Sequence, residues 1–382
     1  MTSNVLVAHR QASAARLNPL RMSGTTLPPN LLMAAKLLIL CYFLAGRLSG
    51  VPDGFLPFIS FLGHFNGSEL YRHALQAVIA TSAVALWINR APRTCCMLIG
   101  STLLLAILSS QTYYHNNLLY LGLFFFIVGL WNSRFSGLVF RLQLAVIYLG
   151  AGLNKVLQSD WRTGWFVQDW LKHYPTGHIY AHVSALLPGM GLSAALGWLA
   201  ILTEFVLIPL LLIRRYVPLA ILVGVAYHTG LVLITGGNTF GMFWYVLVAT
   251  YIALLDWPSG LLVRCNPERR LHRIAHSALS LVDADGSVTW HPYEAGRLEL
   301  VTDATRYTGI AAGARLLLYS PAFYICCAVI FSLRAFHGHT AFIPFVTYAL
   351  IFAICYGYVD RIGATRATAG DMLDKSPNSM GI

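Results

Sequence analysis

The stretch YLGAGLNKVLQSDW, Tyr148 to Trp161, decides how the chain is read. Its first half is apolar and rich in small residues, as at the end of a tightly packed helix. Lys155 then stands inside the hydrophobic run. Tyr148, Gly152 and Lys155 are spaced i, i+4, i+7 and share one helix face. Gly150, Ala151 and Gly152 let another helix, or a flat ligand, come close. Two readings of Lys155 stay open on spacing alone. It is an anchor that snorkels to the interface, or it is a desolvated amine, which gives up its proton more readily and serves as a general base.

The surrounding composition fits a membrane. Of 382 residues, 57% are hydrophobic and 11% charged, against roughly 25% charged in soluble domains. The net charge of +11 does not gather into a basic patch, so no nucleic-acid partner is expected. The positive residues recur in loops between apolar runs, where the positive-inside rule accounts for them. The seven cysteines include no C-x-x-C pair, so neither a thiol redox centre nor a zinc site is indicated. No cleaved signal peptide is expected ahead of the first apolar run.

Runs of about 20 apolar residues predict an all-α polytopic membrane protein. The expected spans lie near 31–49, 73–89, 95–111, 117–132, 138–155, 191–213, 216–235 and 239–256. Two further candidates, near 318–336 and 340–358, would form a C-terminal hairpin. The expected organisation is a basic cytosolic tail (1–29), a bundle of about eight helices (30–260), a small polar cytosolic segment (261–317), the hairpin (318–360) and a cytosolic tail (361–382). Arg90, Arg93, Arg134, Arg214, Arg215, Arg269 and Arg270 fall on one side, taken as cytosolic. The ends carrying His115 and Lys155 then face the opposite side. Trp161, Trp165, Trp170 and Tyr174 mark residues 159–190 as an interfacial lid. Within the polar segment, VDADGSVTW predicts a β-hairpin through its Asp-Gly pair, and the segment is too short to bury a convincing core.

Ionisable residues inside spans are costly and point to function by default. Lys36 and Arg141 lie near the cytosolic ends of their helices, within snorkelling reach. Glu204 sits in the middle of WLAILTEFVLIPLLL and must be neutral, paired or in a wet cavity. His228 lies in the outer half of the next span. His178 and His182 are spaced i, i+4, but no third ligand is placed by the sequence, so no metal site is expected.

Four segments in order, YYHNNLLYLGLFFF, RLQLAVIYLGAGLNKVLQSDW, LTEFVLIPLLLIRR and AYHTGLVLITGGNTFGMFWYVLVA, resemble the HTTM (horizontally transferred transmembrane) domain. This is the membrane portion of vitamin K-dependent gamma-glutamyl carboxylases and their bacterial relatives. The resemblance implies that Lys155 is the base that deprotonates a reduced quinone of the vitamin K or menaquinone type, with His115 beside it. It further implies that His228, Tyr148, Gly152, Asn116 and Met242 line the cofactor, and that oxygen-driven carboxylation or related chemistry follows. The chain departs from the carboxylases at Asn154 and Tyr114. It has some fifty polar residues where they carry a large substrate-holding region. LSLVDADGSV and YTGIAAGARLLLYSP are similar to thiol-disulfide oxidoreductase modules of the DCC type, without their cysteine pair.

Two classes of function remain open. One is a bacterial inner-membrane enzyme with cytosolic termini, acting on a peptide or protein substrate. The other is a non-catalytic membrane protein serving peptide-toxin maturation or immunity, or acting as a partner subunit.

Overall fold

The computed structural model describes residues 18–22, 24–52, 56–131, 137–173, 177–186, 189–235, 250–254, 257–258, 260–283, 288–293, 297–302, 305–332 and 364–366. The expected span near 239–256 lies mostly outside these residues, as does the one near 340–358; Met242 lies outside them too.

The first part is helical. α1 (Pro29–Leu44), α2 (Glu69–Trp87), α3 (Pro92–Ser109) and α4 (Asn116–Gly129) lead to α5 (Leu138–Leu157). Short helices α6 (Ser159–Thr163), α7 (Trp165–Lys172) and α8 (Gly177–Ser184) follow, then α9 (Gly191–Leu212) and α10 (Val217–Thr235).

By length and composition, α3 and α9 can cross a membrane, while α1 and α4 are apolar but shorter. At 1.5 Å per residue, α4 reaches about 21 Å, short of a hydrocarbon core about 30 Å thick. The expected eight spans are therefore met by two among the described residues. Outward faces add a second sign of lipid contact. On α9, Leu199, Leu202 and Val206 are 59%, 56% and 49% exposed. Opposite them run Ser193, Gly197, Ala200, Ile201, Glu204, Leu207 and Leu211, all buried. That stripe follows the helical period, and an apolar outward face of this kind suits lipid better than water.

Small residues set the tightest contacts. A Cβ on Gly100 would collide with the Phe126 backbone of α4, and one on Gly129 with Met97 of α3. The two helices thus pack backbone to backbone, as small residues allow. In the lid, Gly164 has φ +85° and abuts the Ala194 backbone at the start of α9. Trp161 and Phe166 stack at 4.4 Å, and α7 buries Val167 and Leu171.

Lys36 does not snorkel. It is fully buried, because residues 18–22 fold over it: its Nζ donates to the Pro19 carbonyl at 2.6 Å. Asn89 ties the same segment down by donating to the Asn18 and Arg21 carbonyls.

The all-α expectation is corrected by a small mixed sheet. Strands β1 (Leu261–Cys265), β2 (Val288–Pro292), β3 (Glu299–Val301), β4 (Thr305–Thr308) and β5 (Ala364–Arg366) stand in the order β2-β1-β3-β4-β5. The expected hairpin at VDADGSVTW is also corrected. Helix α11 (Arg270–Val282) precedes the Asp-Gly pair, and β2 pairs parallel to β1, making a β-α-β unit. An Asp-Gly pair marks a chain reversal without specifying whether a helix or a strand comes before it.

The segment does bury a core. Leu261, Val263, Leu298, Leu300 and Tyr307 pack against Ala312 and Leu316 of α12 (Ile310–Leu318). Strands β1, β3 and β4, with α12 packed on β3 and β4, enclose this core. Helix α13 (Pro321–Ser332) then returns to α1.

The α3–α4 approach gives a direct test. Gly100→Val should lower the unfolding midpoint in detergent by the equivalent of about 1–3 kcal/mol or more, since overpacking here meets backbone. An unchanged midpoint would mean that the helices are not in backbone contact.

Candidate functional site

Helices α5 and α9 face each other through one polar contact. Lys155 Nζ lies 2.7 Å from Glu204 Oε1 and 2.9 Å from Oε2. The side chains are 15% and 5% exposed. Tyr227 of α10 donates to Oε1 at 3.2 Å. The Trp161 ring, at the start of the lid, covers the ammonium with its centroid 5.0 Å away, a cation–π distance. Lys155 is thus neither exposed to lipid nor an isolated amine: it is half of a charged pair.

A second hydrogen-bonded group continues inward from the first. The Tyr148 hydroxyl meets His228 Nε2 at 3.0 Å and the Tyr251 hydroxyl at 2.6 Å. The Tyr227 and His228 rings are edge to face at 4.9 Å, which brings the two groups side by side. The Tyr251 hydroxyl sits against Gly224 of α10, where a Cβ would collide with it. Beside this, Tyr120 donates to Thr250 Oγ1 at 2.9 Å. Tyr148 and Lys155 are seven residues apart on α5, about 10 Å along the axis. That offset places one at the mouth and the other in the core.

Of the sequence-derived site residues, the structure brings together Lys155, Tyr148 and His228. Gly152 stands between Lys155 and Tyr148 on α5, but Phe205 fills the space its missing side chain leaves. The close partner is therefore a helix. His115 and Asn116 are exposed at the start of α4, and Tyr114 donates to Asn116 Oδ1 at 2.8 Å. Among the described residues no hydrogen bond or ion pair joins His115 to Lys155. His115 instead lines a separate surface cavity of about 420 Å3 with Arg47 and Tyr113.

Sequence reasoning singled out Glu204 but did not pair it, and it missed Tyr227, Tyr251 and Trp161 as site members. The buried stripe of α9 contains Glu204 at its centre, so periodicity was a usable signal. Tyr227 had only its place beside His228.

In the sheet, Cys265 ends β1 and is buried, which pushes its thiol up and leaves less thiolate for redox chemistry.

The family model of the HTTM domain matches residues 127–257. That span contains Tyr148, Lys155, Glu204, Tyr227, His228 and Tyr251, and it leaves out His115 and the sheet. No curated protein and no solved structure matches the chain. The matched domain, the two apolar helices of spanning length and the outward apolar faces identify a membrane protein.

Breaking a buried ion pair from one side costs about 3–5 kcal/mol, because the other charge loses its counter-charge. Lys155→Met and Glu204→Leu should each lower the unfolding midpoint in detergent, and the double variant should recover most of the loss. Strictly additive losses would show that the two side chains are independent.

Proposed function

We propose that the chain is a polytopic enzyme of a bacterial inner membrane, related in chemistry to the vitamin K-dependent carboxylases. Its acid–base unit is the Lys155–Glu204–Tyr227 group. The observation that carries this reading is the Lys155–Glu204 contact, nearly closed to solvent and roofed by Trp161. A carboxylate that holds both an ammonium and a phenol, with an indole ring over the ammonium, fits a flat ligand that exchanges a proton. A reduced quinone of the vitamin K or menaquinone type would supply the reducing equivalents that O₂ consumes and an acidic O–H.

The residues divide the work. Glu204 accepts the ammonium proton across the 2.7 Å contact, which leaves a lone pair on Lys155 Nζ to take a proton from a bound O–H. Tyr227 holds Oε1 in place throughout. Trp161 keeps water from the amine, so that the short contact governs proton position. Tyr148, His228 and Tyr251 form a hydrogen-bonded chain that fixes the inner wall. Carboxylation of a peptide or protein, or a related oxygen-driven reaction, would draw on the base so produced. The loop charges favour cytosolic termini, and the apolar runs of the sequence favour a bundle of about eight spans.

A second reading has its own observation. The mixed sheet has a separate core, as expected of a module that engages another protein. A non-catalytic partner subunit, serving peptide-toxin maturation or immunity, would use that module and keep Lys155–Glu204 as a latch.

O₂ uptake by the purified protein with reduced menaquinone separates the two. Acid–base catalysis contributes about 10²–10⁴-fold, so Lys155→Ala should slow uptake by about 100-fold or more. Glu204→Gln should also slow it, while Lys155→Arg keeps the pair but not the rate. Equal uptake in wild type and Lys155→Ala would remove the enzyme reading and favour the latch.

A further inference from the structure

Away from the Lys155 site, the loop after α1 and the loop before α4 enclose the cavity of about 420 Å3 that His115 lines. Its volume falls within the range of small-ligand sites, roughly 300–1,000 Å3. Arg47, Ser49, Thr112, Tyr113 and His115 supply its polar wall, and no carboxylate lines it among the described residues. Among the described residues, neither the Arg47 guanidinium nor the His115 ring has a hydrogen-bond or ion-pair partner. Two strong donors thus face one space with nothing among the described residues to satisfy them.

The walls are held in place. Gln76 of α2 donates to the Leu48, Ser49 and Val51 carbonyls. Tyr42 donates to the Arg47 carbonyl at 3.3 Å and shares a hydrogen bond with Tyr113 at 3.0 Å. Ser110 and Thr112 hydroxyls meet at 2.8 Å. A floor built this way presents Arg47 from a fixed backbone, so little ordering is left to be done on binding.

The rim is apolar. Phe58 and Tyr114 meet edge to face at 6.0 Å, and the Phe58 and Gln111 backbones are hydrogen-bonded to the Leu108 and Leu56 carbonyls. Leu56, Phe58 and Phe61 are 57%, 50% and 64% exposed. Tyr114, which immediately precedes His115, ties this exposed apolar strip to the loop that lines the cavity.

We propose that this cavity binds a phosphate group through Arg47 and His115, and that the group is the headgroup of an anionic lipid whose chains lie along Phe58 and Phe61. Arginine matches phosphate oxygens with two parallel N–H donors. His115 offers a donor whether neutral or charged. The Ser49 and Thr112 hydroxyls lie beside the space for the remaining oxygens. The proposal stands apart from the acid–base reading, because it uses no residue of the Lys155 group.

The test is calorimetric titration of the full chain in an uncharged detergent. The probes are dihexanoyl-phosphatidylglycerol, dihexanoyl-phosphatidylcholine and sodium phosphate. Phosphatidylglycerol should bind, with Arg47→Gln weakening it by about ten-fold or more and His115→Gln by a few-fold, in keeping with charge-assisted contacts. Arg93→Gln, outside the cavity, should leave affinity unchanged, and sodium phosphate should compete. Binding of sodium phosphate without the lipid would keep the phosphate site and overturn the lipid as its source. Equal binding of phosphatidylcholine, or unchanged affinity in a folded Arg47→Gln variant, would overturn the proposal. Should Arg47→Gln fail to fold, competition by sodium sulfate in the wild type decides: no competition overturns it.

Discussion

The arrangement of the helical part depends on one contact, the ion pair between Lys155 and Glu204. Neither charge can be left alone at this depth, because an unpaired ion in a low-dielectric setting costs several kcal/mol or more. The pair therefore acts less as a source of stability than as a constraint on geometry. With Lys155 on α5 and Glu204 at the centre of the buried stripe of α9, each helix has one rotation that satisfies both. Fixing α5 in that rotation turns Tyr148 inward, two turns away, toward His228 and Tyr251. The same rotation turns Leu142, Val146, Leu149 and Leu153 outward, where all are exposed.

The glycines follow from this constraint. Lys155 can reach Glu204 only if the helices lie close, and Gly152 allows it by accepting the Phe205 ring. Gly224 does the same for the Tyr251 hydroxyl, so the phenol pair sits against backbone with no room for a side chain. Gly197 receives the Trp161 carbonyl, which brings the lid down beside Lys155. Three small residues on three contacts thus place the charged pair, its aromatic roof and the hydroxyl chain in a single cluster.

How much of this was legible in the sequence depends on the range of the interaction. The face shared by Tyr148, Gly152 and Lys155 was readable because it is local and follows helical spacing. Glu204 stood out because a carboxylate at mid-helix needs a partner. Which partner it takes was not readable, since 49 positions separate the two and spacing within one helix says nothing about rotation between helices. The snorkelling expected of Lys36 failed for a related reason. Its cover comes from the chain preceding α1, a segment with no periodic pattern of its own. The sheet was missed because β1 and β2 pair across a helix. Local turn chemistry marks where the chain reverses, while strand partnership across a crossover is settled by burial. The Leu261–Val263 run, apolar on both faces, was the available signal.

The distribution of His115 and Lys155 carries the last step. Composition and loop charges put both at the same end of the bundle, and a shared side invites a shared site. Proximity in a bundle is set by neighbours around the ring as well as by depth. α4, which begins beside His115, is packed backbone to backbone on α3, whereas α5 is packed on α9. The two residues are therefore assigned to different clefts by the small residues of their own helices. A charged lysine is kept where a carboxylate can reach it, and a histidine is left where, among the described residues, an arginine and hydroxyls stand near. From the physics of pairing, the first suits the proton transfer proposed for it, and the second the anion proposed for it.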